Sequence, residues 1–139
     1  MWSRIKSKQK NKYYYFNEKT GESTWDKPQT SHMIYHILIK HKNCRNPDVY
    51  VEEEDAYKTC KRLMVELKEH ASKDNFISLF EEYARKYSKC SSGRNGGCLG
   101  YLCKNEYHPA FEHAALGLEH GGICGPIQTI SGFHIIFRK

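Results

Sequence analysis

Two tryptophans, Trp2 and Trp25, and the run Tyr13-Tyr14-Tyr15-Phe16 all lie within the first 28 residues, which close at Pro28. A stretch shorter than about 40 residues cannot enclose an ordinary core. Aromatics at this density must therefore serve a small sheet and an exposed surface. Tyr13 and Tyr15 alternate with Tyr14 and Phe16, the period of a strand with two different faces. Lys10-Asn11 before the run and Lys19-Thr20-Gly21 after it tolerate turn conformations. The segment is predicted to be a three-stranded antiparallel meander.

With 139 residues, the chain has room for this meander and one ordinary domain. Gln29-Thr30-Ser31 is the only visible linker. It spans at most about 10 Å, so the two parts are expected to touch. Residues 33–39 read as a buried strand and residues 42–48 as an exposed loop. Residues 52–71 fit a helix: acids at its start suit the dipole, and Ala56, Cys60, Leu63, Met64 and Leu67 share a face. Ser72-Lys73-Asp74 breaks it. A second helix over 75–88 presents Phe76, Phe80, Tyr83, Ala84 and Tyr87 at helical spacing. Residues 91–97 are expected to be a flexible loop and 99–101 a short strand. Residues 109–118 read as a helix, with Pro109 in its first turn. Gly125-Pro126 and Ser131-Gly132 are expected turns, and 133–137 a closing strand. The order β, α, α, β, α, β, β describes a small α+β domain.

A net charge of +6 favours acidic partners: nucleic acid, anionic lipid or phosphoprotein. Nucleic-acid binding would need an element that carries a basic stripe into a groove, and none is recognisable. There is no apolar run of membrane-spanning length and no apolar stretch of a secretion signal at the start. The six cysteines therefore read as reduced thiols of an intracellular, soluble protein. None forms a Cys-x-x-Cys pair, which argues against structural zinc.

The first segment resembles a WW domain, with Trp2, Asn17, Trp25 and Pro28 at that family's positions. The resemblance implies that Trp2, Tyr15 and Pro28 pack the back face. Tyr14 and Trp25 would clamp a proline in an extended peptide, and Ser7 and Lys8 would contact a phosphate.

The remainder carries, in order, His36-Ile-Leu-Ile-Lys40-His41, Phe80-x-x-Tyr83-Ala84-x-x-Tyr87-Ser88-x-Cys90-Ser91-Ser92, Gly97-x-Leu99-Gly100, Phe111-Glu112-x-Ala114, Gly125-Pro126 and Ser131-Gly132-Phe133-His134-Ile135-Ile136. Together these resemble a parvulin-type peptidyl-prolyl isomerase, FKBP-like in fold, with a four-stranded sheet surrounded by helices. Joined to a WW domain, the chain resembles the branch of that family that acts on pSer-Pro and pThr-Pro bonds. The division implied is a WW domain over 1–28, a linker over 29–31 and an isomerase domain over 32–139. The resemblance also implies a nuclear and cytoplasmic monomer without cofactor or metal. Its partners would be proteins phosphorylated at Ser-Pro or Thr-Pro, not membranes or nucleic acid.

By the same resemblance, Leu99, Tyr107 and Phe111 would hold the proline ring. His36, Cys90, Ser92 and His134 would organise the catalytic centre, and Lys40, Arg45 and Asn46 would face the phosphate. Rotation needs no acyl intermediate, so Cys90 is read as a polar neighbour of the substrate carbonyl rather than as a nucleophile. Tyr107 stands where the family usually has Met, so a tighter pocket is expected. Asn46 stands where many members carry a second Arg, so a weaker phosphate preference is expected. Lys89 replaces an acid before Cys90, and a cation there would favour the thiolate. The competing reading is a phosphopeptide-binding adaptor with little turnover, kept open by Tyr107, Lys89 and Cys98.

Overall fold

The aromatic run becomes the middle strand of a small sheet in the computed structural model, which describes residues 1–71 and 73–139. Strands β1 (Trp2–Ser7), β2 (Lys12–Asn17) and β3 (Ser23–Thr24) pair antiparallel in the order β1-β2-β3. Arg4 lies opposite Tyr15 and Ile5 opposite Tyr14. Tyr13 and Tyr15 therefore share a face with Trp2 and Arg4, while Tyr14 and Phe16 share the other with Ile5 and Ser7.

The larger sheet contains β4 (Met33–Ile39), β5 (Cys98–Tyr101), β6 (Ile123–Thr129) and β7 (Gly132–Arg138), in the order β5-β4-β7-β6 with every pair antiparallel. Helix α1 (Glu53–Lys68) and helix α2 (Phe76–Tyr87) cover one face, and helix α3 (Pro109–Leu116) covers part of the other. The architecture is the expected α+β arrangement of a meander followed by a four-stranded sheet with helices around it.

Both central strands are apolar along nearly their whole length because both of their faces are covered. Tyr35, Ile37 and Ile39 of β4 and Phe133, Ile135 and Phe137 of β7 pack on Ala56, Cys60, Leu63, Met64 and Leu67 of α1 and Phe76, Phe80 and Ala84 of α2. The alternate residues Ile34 and Ile136 pack on Leu102, Phe111 and Ala115. His36 and His134 fall on this second face by the period of two.

Three local expectations change. Residues 91–97 are not a flexible loop: Ser91–Asn95 is a 3-10 turn, and Gly97 N–H donates to Ser92 O at 2.8 Å. Gly97 has a φ of +82°, and a Cβ there would come within 2.5 Å of His36 O. Only glycine lets this loop approach and accept the His36 N–H at 2.9 Å. Gly125-Pro126 is not a turn but lies inside β6, at the register irregularity between Cys124 and Ile127. A proline without an N–H fits a strand where the ladder lapses. Finally, α1 and α3 stop at Lys68 and Leu116, ahead of their predicted ends, where bonds to the third preceding residue tighten the last turn. Ser72, part of the predicted break after α1, lies outside the described residues.

The two parts touch, as the short linker requires. Arg4 N–H donates to Lys104 O at 2.9 Å and Lys104 N–H to Trp2 O at 3.0 Å, so the outer edge of β1 is bridged by the segment after β5. Lys27 Nζ lies 3.2 Å from Glu106 Oε2, and Thr30 Oγ1 donates to Leu102 O at 3.0 Å.

The packing separates two kinds of cohesion. Phe80 is fully buried, with ring centroids 6.2 Å from Tyr35 and 5.5 Å from Phe137. Phe80→Ala is expected to lower stability by about 3–5 kcal/mol, whereas Lys27→Ala removes a half-exposed ion pair and costs about 1 kcal/mol. Denaturant midpoints at unchanged slope measure both. Equal costs would place the cohesion elsewhere.

Candidate active site

The ladder between β4 and β7 sets Leu38 opposite His134 and His36 opposite Ile136. The two histidines are therefore diagonal neighbours on one face, within reach of long side chains. Their rings stack at 5.3 Å with 20° between planes, and Nδ1 faces Nδ1 at 3.1 Å. His36 Nε2 lies 3.1 Å from Ser92 Oγ, and His134 Nε2 lies 2.7 Å from Thr129 Oγ1. The result is a continuous chain, Thr129–His134–His36–Ser92. With both rings neutral, one Nδ1 donates and the other accepts. A doubly protonated pair would set two N–H groups against each other. Burial, reinforced by His36 and His108, accordingly holds His134 down to about 3.

Above this chain lies a cavity of about 330 Å³. Phe111 stands edge-on to both histidines, with centroids 5.5 Å from His36 and 5.1 Å from His134. Tyr107 packs on Phe111 at 5.3 Å, and Leu99 also lines the cavity. Pro109 starts α3 at a position where its missing N–H costs nothing, and this helix delivers Phe111 to the floor. Burial pushes the Tyr107 hydroxyl up to about 12, with Glu106 adding to the shift, so it stays protonated.

Cys90 borders the same cavity. The His36 imidazole, joined by Ser92, holds its thiol down to about 6 against the opposing effect of burial. Lys89, expected to favour the thiolate, lines a separate cavity with Lys40. Lys89 and Cys90, just ahead of the 3-10 turn, border different cavities, so the thiol answers to His36 and not to Lys89.

The structure thus brings His36, Cys90, His134, Leu99, Tyr107 and Phe111 together, with Ser92 reaching in through His36. Arg45 sits at the rim: its N–H donates to Ile130 O at 2.6 Å, and Nη2 lies 3.5 Å from Ser131 Oγ. Lys40 lines the neighbouring cavity, and Asn46 is exposed at a φ of 52°, lining neither. Thr129 and Glu106 were not singled out from the sequence. The signal for Thr129 is its place beside the two-residue turn before β7, which folds it back next to His134.

On the small sheet, Ser7, Tyr14, Ser23, Thr24 and Trp25 line a groove of about 240 Å³. Tyr14 and Trp25 face each other at 5.8 Å and 69°, and Lys12 Nζ sits 4.5 Å over the Trp25 ring. Lys8 is exposed in the turn between β1 and β2 and does not line the groove.

Two outcomes follow from these titrations. Alkylation of Cys90 is expected to reach half its maximal rate near pH 6, while Cys60, pushed up by burial to about 12, stays inert. His36→Ala should move the Cys90 midpoint up toward its ordinary 9. A Cys90 no more reactive at neutral pH than Cys60 would contradict the geometry. Separately, His134 resists a proton that the unfolded chain accepts near 6.5, so its contribution to stability is complete above pH 6.5 and is lost as pH falls toward about 3. Denaturation midpoints measured across that window should decline with acid, and His134→Gln should flatten the decline.

Comparison with known proteins completes the assignment. The PPIC-type PPIase domain matches residues 36–139 and the WW domain residues 1–28. The chain is 32% identical to the peptidyl-prolyl cis-trans isomerase ESS1 of Saccharomyces cerevisiae, over 99% of this chain and 91% of that protein. It is 33% identical to the peptidyl-prolyl cis-trans isomerase pin1 of Schizosaccharomyces pombe, over 95% and 91%. The structure of the isomerase ESS1 from Candida albicans covers 99% of this chain, and this chain 93% of it, with a TM-score of 0.68 at 26% identity. With its stacked histidines, lowered thiol and aromatic cup, the chain belongs to the PPIC-type peptidyl-prolyl cis/trans isomerases, and it carries a WW domain ahead of the catalytic one.

Proposed function

We propose that this isomerase acts preferentially on bonds in which the residue before proline is phosphorylated, in proteins that its WW domain docks. The observation that carries the reading is Arg45. Among the described residues its guanidinium has no carboxylate within 4.0 Å, and it stands on the rim of the cavity that receives the ring. A guanidinium so placed matches the fork of acceptor oxygens on a phosphate.

The chemistry asked of the floor is rotation about an amide, against a barrier of about 18–20 kcal/mol. Each tenfold acceleration needs about 1.4 kcal/mol of preferential binding to the twisted state. Leu99, Tyr107 and Phe111 grip the ring while the acyl side turns. The planar amide places negative charge on its oxygen and the twisted amide less. A Cys90 thiolate beside that oxygen therefore disfavours the planar ground state relative to the twisted one. His36, held in place by its stack on His134, lowers the proton affinity of this sulfur. No bond to sulfur is formed.

In the WW domain, Tyr14 and Trp25 would supply two faces for a proline, and Ser7 in the groove and Lys8 in the exposed turn beside it would contact the phosphate of the same segment. Six free thiols support a reducing location, here proposed as nucleus and cytoplasm. The enzyme is proposed to work as a monomer.

Matched pSer-Pro, Glu-Pro and Ser-Pro peptides test the reading. Isomerisation should be fastest for pSer-Pro, by about tenfold over Ser-Pro for one charged contact, and Arg45→Ala should remove that advantage while sparing Ser-Pro. Phe111→Ala should reduce turnover on all three. Trp25→Ala should weaken phosphopeptide docking and leave short-peptide turnover intact. Acceleration indifferent to phosphate would refute the assignment of Arg45, and binding without acceleration would point to an adaptor.

A further inference from the structure

Next to the proline cavity opens a second one of about 410 Å³, between the loop after β4, the first turn of α1 and the hairpin that joins β6 to β7. The two cavities share His108, Thr129 and Ile130 as walls, so the second is an extension of the first. Ile130 stands at the lip between them, an aliphatic side chain that is 54% exposed. The remaining walls include His41, Asn43, Glu53 and Gln128, and no lysine or arginine is among them.

Glu53 sets the charge of this cavity. Its neighbours along the helix are paired, Glu52 with Lys42 at 2.8 Å and Glu54 with Lys58 at 3.3 Å. Among the described residues, no lysine or arginine lies within 4.0 Å of the Glu53 carboxylate. The group that faces it is His41, whose Nε2 lies 3.6 Å from Glu53 Oε1. His41 is only 2% exposed, and its Nδ1 accepts the Asn43 N–H at 3.1 Å. Nε2 is thus left with the single ring proton, and it makes no hydrogen bond. A neutral imidazole at that distance does not cancel the carboxylate. Asn43 and Gln128 add side-chain amides, whose oxygens accept from a donor.

An apolar lip ahead of an unpaired carboxylate complements a long basic side chain, which lays its stem on apolar surface and sends its charged head further. Arg45 lines the proline cavity but not this one, so it does not fill the place itself. Its backbone N–H donates to Ile130 O at 2.6 Å, which puts the second cavity on the side of the substrate that Arg45 addresses.

We propose that this cavity is a subsite for a lysine or arginine of the substrate, one or two positions ahead of the residue that precedes proline. Ile130 packs on its stem and Glu53 pairs with its head. The direction along the substrate rests on the role proposed for Arg45, whereas the subsite itself rests on the walls it shares with the proline cavity. The Glu53 side chain is 46% exposed, so the contact is screened by water and salt and its effect falls on binding.

The test uses the full chain with Ser-Pro and pSer-Pro peptides in which alanine, arginine, norleucine or glutamate is placed at each of two positions on either side. Ahead of the serine, arginine is expected to lower KM about two- to fivefold relative to alanine. Glutamate should raise it, kcat should hold, and the gain should shrink as salt rises. Glu53→Gln should abolish the gain and leave the alanine peptide unchanged. Gln128 is exposed on β6, and Gln128→Lys should abolish the gain without touching α1. No advantage of arginine at any position, or one confined to positions after proline, would overturn the proposal. Norleucine equal to arginine, or a gain that survives both variants, would also overturn it. The series without phosphate separates this subsite from the reading of Arg45: the gain from arginine should appear there too, whether or not phosphate itself accelerates turnover.

Discussion

The pairing of β4 with β7 is the constraint on which the molecule turns. Six residue pairs, from Ile34 with Arg138 to Ile39 with Phe133, fix which side chains face which way. In this register the aromatic residues of β7 enter the core under α1 and α2, and the two histidines face the cavity. A slip of β7 by one residue would bury the His134 imidazole among Phe76 and Phe80 and turn Phe133, Ile135 and Phe137 toward the cavity. The cost on both faces is what makes the register unique. Gly132 helps to pin it, because a Cβ there would collide with Ile39 O at the end of the ladder. Folding and chemistry are thus specified by the same hydrogen bonds.

The parts legible in the sequence were those that periodicity controls. The alternation in Tyr13 to Phe16 and the helical stripe from Ala56 to Leu67 each became the element their period demanded. The sites were harder, because they are made by contacts between distant segments. His36 and His134 are 98 residues apart and meet only through the ladder. Resemblance to a family placed them together, which the local pattern could not. Thr129 escaped notice because a threonine near a turn reads as turn chemistry until the hairpin folds it onto an imidazole. The segment from Ser91 to Gly97 looked flexible for a similar reason. Its serines and glycines suit a loop, yet the bonds from Gly97 to His36 and Ser92 make it a fixed support for Cys90.

Electrostatics in the cup follows from which groups can find partners. His134 is buried with its two nitrogens engaged by His36 and Thr129, so an added proton would lose its water and gain no carboxylate partner there. Cys90 is only partly buried and its sulfur faces donors, and donors favour the anion. Cys60, surrounded by the apolar residues of α1 and the sheet, has no donors and is pushed the other way. The same residue type takes opposite roles because hydrogen-bond donors outweigh desolvation at one site and are missing at the other.

The union of the two domains obeys related arithmetic. Contacts between domains of one chain are often small and polar enough to part readily. Here the edge of β1 is bridged to Lys104, and Lys27 meets a Glu106 side chain that is only 7% exposed. Withdrawing the small domain would remove that cation, a modest loss because the lysine is partly exposed, and would break the backbone hydrogen bonds along the edge of β1 as well. Glu106 also borders the proline cavity and accepts the Cys103 N–H at 2.8 Å, so it cannot swing out freely to meet water. The segment from Leu102 to Tyr107 is consequently shared: one side seats the WW domain and the other walls the cup. Under the proposed function, a substrate docked at Trp25 and turned over above Phe111 would meet two surfaces whose separation is set by this one segment.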